Sequence, residues 1–133
     1  MKVTVGFTLV AGAIFALLSV VIGAFGAHAL KPLLSVDMLA VFKTAVQYQM
    51  FHASALLITG LLMSQNMMSS NLKYLRISVI LFMIGITLFS GSLYLLALTE
   101  IKIMGAVTPL GGVAFIAAWI CFVIGARNFS NPN

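Results

Sequence analysis

Charged positions are few along this chain, and long uncharged runs separate them. No Asp, Glu, Lys or Arg lies between Lys2 and Lys31, Lys43 and Lys73, Arg76 and Glu100, or Lys102 and Arg127. A helix rises about 1.5 Å per residue, so roughly 20 apolar residues cross the hydrocarbon of a bilayer. Each of the four runs is long enough. The pattern predicts an all-α fold: a four-helix transmembrane bundle with antiparallel neighbours, in a single transmembrane domain over 1–133. The spans are expected at about 5–27, 44–63, 76–98 and 108–126.

Small residues and cap signals refine this outline. Gly12, Ala16, Ser19, Gly23 and Ala27 fall on one face of the first helix, where a neighbouring backbone can approach closely. His28 to Ser35 reads as a connection, with Ser35 as N-cap and Asp37 in the first turn of the second helix. Ser64 to Asn71 is polar and reads as a loop. Ser78, Gly85 and Ser92 form a seam on the third helix. Thr108-Pro109 predicts an N-cap followed by proline at the first helical position. Ala114, Ala118, Cys121 and Gly125 share a face of the fourth helix, and Gly23, Gly85 and Gly112 are expected to pack against neighbours. No strand or low-complexity segment is expected.

Composition agrees with a membrane location. The chain is 62% hydrophobic and 7% charged, where a soluble domain carries about 25% charged residues. Its net charge of +5 comes from basic residues placed singly at helix ends. That is membrane-flank anchoring and not a nucleic-acid surface. Lys2, Lys73, Arg76 and Arg127 face one side, and Lys31, Lys43 and Lys102 the other, a small bias toward cytoplasmic termini. Ala27-His28-Ala29 resembles a signal-peptide cleavage site, but the uncharged stretch Val3 to Leu30 is 28 residues. A signal core is roughly 7–15, so a retained first helix is expected.

Threading the four spans assigns a depth to each polar residue. His28, Tyr48, Gln49, His52, Ser90, Ser92, Tyr94 and Thr108 all fall in the leaflet away from the termini, and the opposite half reads as nearly pure hydrocarbon. Thr44, Tyr48 and His52, four apart, share a helix face. His52 would lie roughly 12 Å inside the helix from Thr44. An ionisable residue at that depth is a functional candidate. Two roles are open to it. It can hydrogen-bond to Tyr48, Ser92, Thr108 or a backbone carbonyl and join helices, or it can serve a proton, ligand or metal. His28, near the surface, is expected to order the connection. Two histidines with no supporting carboxylate or thiolate make a poor metal set, and the methionines are scattered. No metal or cofactor is expected. Ser90-Gly91-Ser92 has no acidic partner, and Asp37 and Glu100 lie on different connections. No nucleophile, base and orienter set is visible, so an enzyme is not expected.

Four motifs, one per span, resemble a known family. They are Gly23-Ala24-Phe25-Gly26-Ala27-His28, Tyr48-Gln49-Met50-Phe51-His52, Phe89-Ser90-Gly91-Ser92-Leu93-Tyr94, and Thr108-Pro109-Leu110-Gly111-Gly112 with Phe115 and Trp119. Together they resemble the YgdD-like family of small inner-membrane proteins. The resemblance implies four spans and a bacterial plasma membrane, and it supplies no substrate or catalytic residue. The expected function is an accessory or structural membrane protein in an assembly, with the lipid bilayer and a membrane-protein partner or further copies of itself around it. The rival is a small oligomeric transporter or ligand-binding protein that uses the polar cluster.

Overall fold

The computed structural model describes residues 3–65 and 69–127. Lys2 and the Met67-Met68 pair lie outside them. Helix α1 runs over Val5–Phe25 and continues through a π-helical turn, Gly26–Leu30. Helix α2 covers Val36–Met63, and α3 covers Ser69–Gly85. A second π-helical turn, Ile86–Ser90, joins α3 to α4, Gly91–Thr99, and α5 covers Ile103–Ala126. The described residues contain no strand.

Caps account for the starts of α1 and α2. The Thr4 hydroxyl accepts from the Phe7 N–H at 3.1 Å, and the Ser35 hydroxyl from the Met38 N–H at 3.2 Å. Each satisfies a donor that the first turn leaves orphaned. Asp37 lies in the first turn of α2.

Several boundaries differ from the sequence reading. His28 lies on the π-helical turn and not in a loop. The third rod starts at Ser69, well before the expected span, and carries an unforeseen π-helical turn. Thr108 does not cap α5. The helix starts at Ile103, and Pro109 is inside it. Proline removes one N–H and crowds the carbonyl four residues earlier. Here that carbonyl belongs to Gly105, in the first turn. Gly112 is also not packed, since a Cβ there would meet nothing within 4 Å. Finally, the half expected to be nearly pure hydrocarbon contains buried Thr8, Thr59 and Ser78. Each bonds a carbonyl of its own helix.

Three of the four expected spans stand out by length and hydropathy. Among the described residues, three stretches are long and apolar enough to cross a membrane: Val5–Leu30, Ser70–Thr99 and Ile103–Ala126. Helix α2 is long, at 28 residues, but it is not among them. Gln47, Gln49 and His52 dilute its apolar character.

Helix α1 packs along α2, and α3 along α5. Helix α2 also meets α4 and the second π-helical turn. Leu56, Leu75, Val79, Phe82 and Ala118 form the dry centre. The outer faces of α1 and α5 expose Val10, Leu17, Val20, Val113, Ile116 and Val123. Apolar surface on this scale suits contact with lipid.

The turn after α4 is tight. Glu100 takes φ 56° and ψ 16°, and its N–H reaches the Leu96 carbonyl at 2.8 Å. Among the described residues it is the one non-glycine with positive φ. A left-handed residue with a Cβ costs about 1–2 kcal/mol, and glycine usually fills such a cap. Glu100→Gly is expected to stabilise the fold by about 0.5–1 kcal/mol after the greater freedom of unfolded glycine is offset. Denaturant titration in detergent measures this. A lower midpoint would mean that the carboxylate contributes more than the backbone relief.

Candidate functional site

His52 is 4% exposed and sits between α2 and α5. Its Nδ1 lies 2.7 Å from the Tyr48 carbonyl, which can only accept. Its Nε2 faces the Trp119 indole N–H at 3.3 Å, which can only donate. The two partners select one tautomer. The proton sits on Nδ1, and the Nε2 lone pair receives Trp119. An added proton on Nε2 would face another N–H, so the site fits a neutral ring. The Phe115 ring stacks on the imidazole at 3.5 Å and 8°. Phe82 and Phe51 close around it at 5.8 and 5.3 Å. Both nitrogens are engaged, so the ring joins two helices and holds no free base.

Gln49 is neighbouring in sequence but belongs to a second network. Its amide Nε2 donates to the Phe15 carbonyl at 3.0 Å, and its Oε1 accepts from the Tyr94 hydroxyl at 2.9 Å. One buried side chain thereby ties α1, α2 and α4. The third network joins α4 to α5, where the Ser92 and Thr108 hydroxyls lie 2.8 Å apart. Ser90 donates across to the Ala45 carbonyl of α2 at 2.8 Å.

The residues expected to form one cluster are therefore divided. Tyr48 and His52 share a site through the Tyr48 carbonyl, while the Tyr48 ring stacks on Phe89 at 4.3 Å. Gln49 goes with Tyr94, and Ser92 with Thr108. His52 makes its side-chain bond to Trp119 and not to Ser92 or Thr108. His28 is exposed on the first π-helical turn and joins none of these networks.

Sequence reasoning missed Trp119 as a partner because it started the last helix too late. His52 is sixteen residues beyond Val36, and Trp119 is sixteen beyond Ile103. These two helices run in the same direction, so the two side chains meet at similar depth. Starting the helix at Thr108 hid that match. Among the described residues, no group of three or more His, Cys, Asp or Glu could hold a metal.

Beside His52, a groove of about 530 Å³ opens between α2 and α5. Gln47, Phe51, Gly112, Ile116 and Trp119 line it, with Phe89 and Phe115 at its floor.

A family model described as "Protein of unknown function (DUF423)" matches residues 22–112. The UPF0382 membrane protein YwdK of Bacillus subtilis is 47% identical over 121 residues, covering 91% of this chain and 96% of that protein. A UPF0382 membrane protein of Staphylococcus saprophyticus is 45% identical over 117 residues, covering 88% and 93%. One of Staphylococcus haemolyticus is 42% identical over 121 residues, covering 91% and 95%. No solved structure matches. These relatives are named as membrane proteins, and their names state no enzymatic activity. With its apolar helices, this chain is likewise an integral membrane protein of undetermined activity.

Proposed function

The chain belongs to the DUF423 family of proteins of unknown function, and from that premise we propose that it is a non-enzymatic accessory or structural protein of a bacterial plasma (inner) membrane, acting within an assembly. One observation carries the reading. Among the described residues, every buried side-chain nitrogen and oxygen has a hydrogen-bond partner inside the protein. In a membrane such groups must find internal partners. Some of these groups bond their own helix, as Thr8, Thr59 and Ser78 do, while Gln49, Ser90, His52 and Ser92 link one helix to another. A catalytic centre or translocation path needs buried polar groups left over for a substrate. This interior is arranged to hold a shape.

The same proposal makes α2 a fourth span. The Gln49 and His52 side chains point to α1, α4 and α5, so a helix of modest hydropathy can cross with these polar atoms covered. Both termini then face the cytoplasm, with Lys73, Arg76 and Arg127 on that side. Membership of the YgdD-like family belongs to this proposal as well, on the four motifs.

Mild-detergent purification of the full chain, after cross-linking in the membrane, tests the assembly role. A defined complex is expected, with a stoichiometric partner protein or further copies. A chain that stays single throughout would overturn it. Reporter fusions after Gln65 and at the C-terminus should give the same cytoplasmic side. Opposite signals would remove α2 as a span.

A further inference from the structure

The protein's closed interior contrasts with the mouth of the α2/α5 groove. There the Gln47 amide and Tyr48 hydroxyl sit on exposed residues, and neither belongs to the three networks. Deeper in, the walls are Phe51 and Ile116, which are 61% and 63% exposed, and Trp119. The groove thus opens sideways, toward what surrounds the bundle. Its size falls in the usual range for small-molecule sites, about 300–1,000 Å³. Gly112 keeps it open. Among the glycines of α5 it is the one where an added Cβ would meet nothing within 4 Å, with the large Ile116 one turn further on. Lys43 is exposed one turn before Gln47, on the stripe that continues to Phe51.

We propose that this groove binds one anionic phospholipid. Its acyl chain lies over Gly112 against Phe51, Ile116 and Trp119. Its ester carbonyls face the Gln47 amide and Tyr48 hydroxyl, and its phosphate faces Lys43. The order of chemistry along this face of α2 and into the groove matches that of a lipid: the Lys43 cation nearest the start of the helix, neutral donors one turn deeper, aromatic and aliphatic walls below. A second copy fits less well. Copies facing groove to groove across a two-fold axis along the membrane normal would bring one Lys43 toward the other, a like-charge pairing.

Trp119 is the chain's single tryptophan, so its fluorescence reads this groove alone. The full chain is placed in phosphatidylcholine vesicles. Brominated phosphatidylglycerol or brominated phosphatidylcholine is added at equal mole fraction. Phosphatidylglycerol is expected to quench at lower mole fraction, with a preference of about fivefold, which is what one lysine near a membrane surface gives. Lys43→Gln should bring that preference close to one and leave phosphatidylcholine quenching unchanged. Gly112→Leu, with helicity checked by circular dichroism, should lose the preference and reduce quenching by both lipids. Equal quenching of the native chain by the two lipids would mean general bilayer contact and would overturn the site. Weak quenching by both, with a two-chain mass, would assign the groove to a second copy and overturn it equally. If Gly112→Leu does not fold, the Lys43→Gln comparison decides alone.

Discussion

His52→Leu is expected to destabilise the bundle by about 2 kcal/mol, and His52→Gln by less than about 1 kcal/mol. Leucine removes the acceptor for the Trp119 indole N–H, which the structure places 3.3 Å from Nε2. A buried donor left unpaired costs about 1–3 kcal/mol. Leucine also removes the ring stack on Phe115, worth about 0.5–1.5 kcal/mol. The sum is reduced because an unfolded chain in a membrane also finds partners. Glutamine offers one acceptor and one donor, so it can still serve Trp119 and the Tyr48 carbonyl. Trp119→Phe supplies the second arm. Combined with His52→Leu in a double-mutant cycle, it should show a coupling of about 0.6–1.7 kcal/mol, the range such bonds reach in membranes. Unfolding midpoints in a denaturing-detergent titration give all four corners. If glutamine does as much damage as leucine and the coupling is near zero, the link between α2 and α5 does not exist.

That link also shows what the sequence made legible. The burial of His52 followed from depth alone, because an imidazole inside an apolar span must turn inward. The Ser35 cap and Asp37 were legible because capping is a local rule, and Ser35 does cap α2. Rules that hold near water misled at Pro109. In a soluble helix Thr-Pro marks a start, but in α5 a full turn precedes the proline. Moving that start concealed Trp119. The π-helical turns were not legible at all. A wider turn depends on neighbours that sequence order does not reveal. Ser90 reaches the Ala45 carbonyl from one such turn, and Phe42 lies against Gly26 in the other. Whether α2 crosses the membrane was less legible, for a related reason. Counting charges treated Gln47, Gln49 and His52 as neutral, but they lower the apolarity of α2.

Adding a single methyl group to Gly111 or to Gly112 should have opposite results, although the two are adjacent. A Cβ on Gly111 would lie 2.4 Å from the Phe89 backbone nitrogen and 2.7 Å from its Cα. Backbone in a helix cannot swing aside as a side chain can. Gly111→Ala must therefore push α5 away from the second π-helical turn. Overpacking of this kind costs about 1–3 kcal/mol, occasionally more. Gly112→Ala meets nothing within 4 Å and gains helix propensity of up to about 1 kcal/mol. The two variants should therefore differ in stability by about 2–4 kcal/mol, from these two opposing effects. Gly85 is an intermediate case. Its Cβ would lie 2.4 Å from the Phe115 ring, and a ring can move. That ring also stacks on His52, so Gly85→Ala should disturb the aromatic site as well as the packing. Trp119 fluorescence should shift in Gly85→Ala and in Gly111→Ala but stay native in Gly112→Ala. Equal midpoints for the Gly111 and Gly112 variants would mean that α5 does not approach the Phe89 backbone, and the helix placement that builds the groove would fail with it.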